Sequence, residues 1–259
     1  MNVTVLGCGT SHGVPMIGCE CAVCSSTDPH NKRLRPSILV TTDIGENIIV
    51  DTPPEMRLAL IANNVRSLSS ILMTHSHADH IFGMDDVRPF NYRQGAAVPI
   101  FAEATVREDI RRIFEYAFKS GPIGGGRPQI ELRDAVPLVP IVLAGITVFP
   151  LRVFHGNLPV LAFKFGAHFA YVTDVSSIPP ETVPHLMNLD LLLLDAVRRE
   201  KHETHFNLEE ALAAIRMLKP KRAFLTHLSH DFDFNATNRE LPDGVQLTYD
   251  GAVYEVQSS

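Results

Sequence analysis

The chain is short of cysteine, of long apolar runs and of basic charge, and each shortage excludes a class of protein. Four Cys in 259 residues are too few for a disulfide-held scaffold. No apolar run approaches the ~18 residues of a membrane span. The opening residues, MNVTVLGCGT, contain neither a basic start nor a long apolar stretch. No export signal is therefore expected there, and a cytoplasmic location with reduced thiols is the default. Lys and Arg number 23 against 29 Asp and Glu, a net charge of −6, whereas nucleic-acid binders usually carry a basic excess. The short basic runs Lys32-Arg33-Leu34-Arg35 and Arg198-Arg199-Glu200-Lys201 read as solvated faces. Repeats, low-complexity tracts and dividing Ser/Gly linkers are absent. What remains, 45% apolar and 20% charged residues, is ordinary globular usage, and residues 1–259 read as a single domain.

Short β-rich runs recur: Val3–Leu6, Ile38–Thr41, Ile48–Val50, Ser70–Met73, Ile146–Val153, Val160–Phe165, Phe169–Val172, Leu191–Leu194 and Arg222–Leu225. Gln246–Tyr249 and Val253–Val256 are expected to form a last pair about an Asp250-Gly251 turn. Helical spacing marks Glu55–Asn63 after Pro54, a segment from Thr105 to Ala117 with Thr105 and Glu108 as a capping box, and a segment led by Asn207 and Glu210. The pattern predicts one α/β domain with two sheets and outer helices. Gly121–Arg127 (GPIGGGR) lacks the Gly-Lys-Ser/Thr ending of a phosphate loop and reads as a connection or a lid.

Chemistry concentrates at Ser70–His80, SILMTHSHADH. An apolar strand runs into His75, His77, Asp79 and His80. In an extended stretch His75 and His77 share one side, and a turn after Ala78 aims Asp79 and His80 at a second point. Imidazole with carboxylate suits Zn²⁺, Mn²⁺ or Fe²⁺. His155, Asp174 and His227 each follow another apolar strand, so they can converge at one sheet edge. Asp51 and Asp195 also end apolar strands and are candidates to orient ligand imidazoles.

HxHxDH followed by a distant His, Asp and His resembles the metallo-β-lactamase superfamily, and the resemblance runs through nearly the whole chain. It implies an αββα sandwich, two mixed β-sheets flanked by helices. It also implies one metal on His75, His77 and His155, another on Asp79, His80 and His227, and Asp174 as the bridge. The superfamily spans esterases, lactonases, nucleases and oxidoreductases, so this level of likeness does not name a substrate.

Cys19, Cys21 and Cys24 form a CxCxxC unit, a Cys-rich loop near residues 18–25. Three thiolates so close suit a structural zinc that needs one further ligand. Spacing leaves His12, His30 and Cys8 open for that place, although Cys8 beside the first strand reads as a small core residue. The stretch GTSHGVPMIGCECAVC with the later HLSH resembles the phosphoribosyl cyclic phosphodiesterase branch, which implies His230 as the fourth ligand. A sister group in pyrroloquinoline quinone biosynthesis has a similar loop, and the intact HxHADH fits the phosphodiesterases better.

The branch resemblance implies two divalent ions in the active site, zinc or manganese, and one structural zinc. It implies a small cyclic ribose phosphate or nucleotide-like substrate opened to a monoester. Asp79 and His205 are the expected catalytic residues, His205 as the proton donor, with His202 as its rival. His30, His168 and His185 carry no motif and read as structural. No stable nucleic-acid partner and no membrane are expected, and a homodimer is left open. The alternatives are a tRNA 3′-processing nuclease, a pyrroloquinoline quinone biosynthesis-like metalloprotein, and a redox or metal sensor. The nuclease is disfavoured by the acidic total and the Cys cluster. The sensor is disfavoured because His77 stands where diiron oxidoreductases carry Glu.

Overall fold

The computed structural model describes residues 1–119 and 126–258, so most of the Gly121–Arg127 stretch lies outside the described residues. Among the described residues, fourteen strands build two seven-stranded sheets. The first contains β1 (Asn2–Gly7), β2 (Ser37–Thr41), β3 (Asn47–Val50), β4 (Ser70–Leu72), β5 (Val98–Ala102), β6 (Ile130–Asp134) and, at the far edge, β14 (Val253–Glu255). The second contains β7 (Ile141–Leu143), β8 (Ile146–His155), β9 (Leu158–Phe165), β10 (Phe169–Val172), β11 (Leu191–Asp195), β12 (Ala223–Thr226) and β13 (Val245–Leu247). Each sheet runs antiparallel for three pairings and parallel for the next three. This is the mixed two-sheet architecture expected.

One core lies between the sheets. Val3, Val5, Ile38, Val40, Ile48 and Val50 from the first meet Val148, Leu151, Phe163 and Leu193 from the second. The alternate residues of the first sheet, Leu39, Ile49 and Ile71, face outward against helices Met56–Ala62 and Ala104–Ile113. Helix Leu208–Leu218 covers the second sheet through Ala211, Ala214, Ile215 and Leu218. β11 is buried along its whole length, because a parallel strand covered on both faces has no polar side. Each of its leucines contributes about 1.5–3 kcal/mol of burial, and Leu193→Asp would place an unpaired charge in the middle of the domain. Among the described residues, no helix is long and apolar enough to cross a membrane.

Several sequence expectations need correction. The final strands do not pair: β13 joins the second sheet and β14 the first, and the turn at Gly251 carries the chain between them. Thr105 is no cap. The helix starts at Ala104 after Glu103, without a side-chain cap bond, because the Glu103 carboxylate is engaged by Arg152 of β8. Phe114 then leaves helical geometry, so Ala117 belongs to a separate turn, Glu115–Phe118. β5, β6 and β7 were not foreseen; Pro99 and Pro140 and the charges of Ile130–Asp134 (IELRD) obscure the strand signal. Asn207 and Glu210 do form the reciprocal capping box. Arg33 is not on a solvated face. It is 2% exposed and donates to the carbonyls of Ser229 at 2.7 Å and Phe232 at 2.6 Å.

Candidate metal centre

Strand direction explains why the polar residues meet. β3 and β4 in one sheet, and β10, β11 and β12 in the other, are parallel within their sheet, so their C-terminal ends share an edge, where ligands of α/β sheets collect. β8 is antiparallel to β9, which is antiparallel to β10; β8 therefore ends at that edge too, with His155 as its last residue. Asp51, Asp174 and His227 follow β3, β10 and β12 with φ of 64°, 53° and 59°. Left-handed geometry is uncommon outside Gly and gathers at functional sites. Here it turns each side chain out of the strand. After β4 the chain bends at Thr74, passes an extended His77 and then forms the helical turn Ala78–Ile81, which carries Asp79 and His80. That turn closes on Gly83, where a Cβ would meet the Pro53 carbonyl at 2.0 Å.

The carboxylate of Asp174 lies at the middle. Its oxygens are 3.9 Å from His75 Nε2, 3.3 Å from His80 Nε2 and 3.4 Å from His227 Nε2. Asp79 Oδ2 lies 3.4 Å from His80 Nε2 and 3.9 Å from His227 Nε2. Ligand atoms of His75, His80 and Asp174, of Asp79, His80 and His227, and of His155, Asp174 and His205 each fall within 4.8 Å of one another. His77 joins through ring contacts, 4.4 Å from His75 and 5.3 Å from His155 between centroids.

The other ring nitrogens of His75, His80 and His155 are held from outside, while Nδ1 of His227 is buried without a hydrogen-bond partner. Asp51 Oδ2 accepts from His80 Nδ1 at 2.7 Å, and Asp51 also accepts from the amide and hydroxyl of Thr74. His75 Nδ1 lies 2.9 Å from Thr74 Oγ1, and His155 Nδ1 donates to the Thr204 carbonyl at 2.6 Å. The inward atoms His75 Nε2, His80 Nε2 and His227 Nε2 are buried without a hydrogen-bond partner. Orphaned buried nitrogens on pinned rings are costly unless something else binds them, so this donor set fits divalent cations. Charge is divided. Burial first, then His80, lowers His75, whereas burial at His80 and His227 is outweighed by Asp174 and its neighbouring carboxylates, which raise both, His227 to about 9. Burial opposes ionisation of Asp79 and Asp174, yet the surrounding imidazoles hold both well below the usual carboxylate range.

His205 is buried beside this group. Its Nδ1 donates to Asp195 Oδ2 at 2.8 Å, and its ring centroid is 4.3 Å from His155 and 4.7 Å from His227. Asp195 also accepts from the Val175 amide at 3.0 Å and has Oδ1 3.6 Å from His227 Nδ1. His202 stands one step out, 5.0 Å from His205, with Nδ1 accepting from the Thr204 amide.

The second cluster is separate in chemistry and adjacent in space. Sγ of Cys19, Cys21 and Cys24 lie 3.2, 3.5 and 3.5 Å from His230 Nδ1, the soft donor set of a zinc site. Among the described residues, none of the spacing-based candidates groups with the thiolates. Cys8 is in the core, and His30 stacks on Phe234 with its Nδ1 on Asp28. Arg33 grips the carbonyls on either side of His230. A cavity of about 800 Å³ joins the clusters, bordered by His12, Met16, His155, Arg198, His205, His227 and His230 among others.

A family model described as the β-lactamase superfamily domain matches residues 46–228, the span from β3 to just past β12 that carries the candidate ligands from His75 to His227. The chain belongs to the metallo-β-lactamase superfamily. Within it, the solved structure of a diphosphatase from the PhnP family superposes with a TM-score of 0.91 at 41% identity, covering 98% of this chain and 96% of that one; this places the superfamily member in the PhnP-like branch. Zinc-bound PqqB from Methylobacterium extorquens, 16% identical with a TM-score of 0.79 over 99% of this chain and 100% of that one, shares the fold. The chain is also 38% identical over 97% of its length to a Porphyromonas gingivalis protein named octanoyltransferase, of which it spans about half (51%).

Proposed function

We propose that this metallo-β-lactamase-fold protein hydrolyses a small phosphodiester, a cyclic ribose phosphate or nucleotide-like ring, to a monoester. The observation that carries the reading is a proton donor beside a cation site: His205, held by Asp195, borders the same cavity as His155 and His227. His75, His77 and His155 would hold one divalent ion, Asp79, His80 and His227 a second, and Asp174 would bridge them. Bound there, two cations supply Lewis acidity toward phosphoryl oxygens and make water acidic near neutral pH. The chain supplies the rest. Asp51, Thr74 and the Thr204 carbonyl fix the ligand rings, so no reorganisation is needed when charge develops on phosphate. Asp195 accepts from Nδ1 of His205, which leaves Nε2 to give a proton to the departing ribose oxygen. Cys19, Cys21, Cys24 and His230 would hold a structural zinc.

The likeness to a PhnP-family diphosphatase supports a second reading, cleavage of a phosphoanhydride by the same groups. A panel decides. The metal-reconstituted protein is given a 2′,3′-cyclic nucleotide, a ribose 1,2-cyclic phosphate, a nucleoside diphosphate, pre-tRNA and a thioester, followed by phosphorus NMR and product analysis. Highest kcat/KM on a cyclic diester upholds the proposal. Preference for the diphosphate replaces it with the second reading, and turnover of the thioester alone rejects phosphoryl chemistry altogether.

A further inference from the structure

Arg33 is a buried cation with no ion-pair partner among the described residues. It is 2% exposed, and its Nε has no hydrogen-bond partner. Asp250 and Asp233 act on it from a distance, but both are engaged elsewhere. Asp250 accepts from the amides of Cys8 and Leu34. Asp233 accepts from the Ala236 amide and from Asn31, whose own amide oxygen accepts from Arg33 at 3.2 Å. A charge taken out of water without a partner is costly, so something else must offset this one.

The contacts of Arg33 join the two halves of the Cys cluster, which lie some 206 residues apart in the chain. Its backbone bonds to Val14 in both directions, at 2.7 and 2.9 Å. Two residues further, the Met16 amide donates to Cys24 Sγ at 3.3 Å, and the Met16 carbonyl accepts from the Cys19 amide at 3.1 Å. Lys32, the preceding residue, donates to the Cys24 carbonyl at 3.1 Å. The side chain serves the other half. Its two terminal nitrogens hold the carbonyls of Ser229 and Phe232, which bracket His230, and Nδ1 of His230 faces all three sulfurs. Gly9 leaves room for this: a Cβ there would meet the Arg33 carbonyl at 2.9 Å and the Arg33 Cβ at 3.0 Å.

We infer that Arg33 is a positioning residue for the Cys cluster, fixing His230 against the thiolates and supplying the buried positive charge that a filled cluster balances. A divalent cation on three thiolates and one neutral imidazole keeps a single negative charge, so the loaded site provides the anion that Arg33 lacks. The inference rests on the zinc reading of that cluster and not on the choice of substrate. The neighbouring metal centre should be spared. Between His227 and the gripped segment, the Leu228 amide donates to the Cys8 carbonyl at 2.7 Å and the Ser229 amide to the Val197 carbonyl at 3.0 Å, two clamps that do not involve the Arg33 side chain.

The test uses the full chain as wild type, Arg33→Lys and Arg33→Met, each loaded with zinc or with cobalt. Thiolate-to-cobalt charge-transfer absorption reports the Cys cluster alone, because the His/Asp centre has no sulfur, and competition with a chelator gives the affinity. Loss of an outer partner of a metal ligand costs about 10–100-fold in metal affinity, and Arg33→Met should fall in that range. Arg33→Lys keeps the charge and loses the fork, so it should recover part of the loss. The rise in melting temperature on filling the cluster should shrink in Arg33→Met. A wild type without the thiolate band would reject the zinc reading and the inference with it. A wild-type band with equal affinity in Arg33→Met would overturn the Arg33 assignment alone. So would an equal loss of cations from the His/Asp centre, or a melting temperature lowered equally with and without metal, since either marks a general packing role. Should Arg33→Met fail to fold, Arg33→Lys decides: a fall in affinity of about threefold or more upholds the assignment, and an unchanged affinity overturns it.

Discussion

Replacing His205 with Ala separates proton donation from metal binding. The side chain is 8% exposed and makes one hydrogen bond, to Asp195. Its loss leaves Asp195 Oδ2 with the Val175 amide and Oδ1 with no hydrogen bond, a half-satisfied buried carboxylate that costs about 1–3 kcal/mol of stability. The space opens onto the 800 Å³ cavity, so water fills it and no dry void adds to the cost. General-acid catalysis is worth about 10²–10⁴-fold, or about 2.7–5.4 kcal/mol of barrier. That loss should appear with a ribose-alkoxide leaving group and shrink to under about tenfold with p-nitrophenolate, which leaves without a proton. kcat/KM for both substrates, with metal content by mass spectrometry, reads the difference. Equal losses on both substrates would falsify the donor role and make His205 a positioning residue. Unchanged rates would move the role to His202. If Asp195 acts through His205, adding Asp195→Asn to His205→Ala should slow the alkoxide reaction little further, since residues that work as a unit are not additive.

Cys21→Ser should lower zinc content by one ion and lower the melting temperature, because structural zinc binding is also folding energy; abolished turnover with zinc and stability intact would place the Cys cluster in the chemistry instead. Chelation should abolish hydrolysis and return it with divalent metal, while an active metal-free protein would remove the cations from the mechanism. Asp250 accepts from the amides of Cys8 and Leu34, and burial pushes its carboxyl up to about 6. The folded state thus keeps a proton that the unfolded state has released between about pH 4 and 6, and stability falls as pH rises through that window, by roughly 2–3 kcal/mol from pH 4 to pH 7. Denaturant unfolding should show this slope in the wild type and not in Asp250→Asn, and parallel curves would rule it out.

The cluster of candidate ligands that the fold brings together was legible because its chemistry is written locally. HSHADH places four ligand-type side chains within six residues, and no packed core has a use for that many. His155, Asp174 and His227 were legible because each follows an apolar run that a strand must end. Cys19, Cys21 and Cys24 were legible from spacing, but spacing left the fourth position open among His12, His30 and Cys8, and only resemblance pointed to His230, some 206 residues beyond Cys24. Arg33 looked like a surface charge, because nothing in Lys-Arg-Leu-Arg distinguishes the arginine that faces inward.

Strand existence, the capping box at Asn207 and the ligand types are properties of short segments, so the sequence by itself determined them through local propensity and period. Partnership across the sheets is a different quantity. The two final strands read as a hairpin, yet pairing free energy depends on which edge is open, and β1 and β12 each offered one. The Thr204 carbonyl on His155 and the Asp195 bond to His205 depend on where β8, β11 and β12 end relative to one another. Packing decides that, because only the assembled sheets bring those strand ends to one edge.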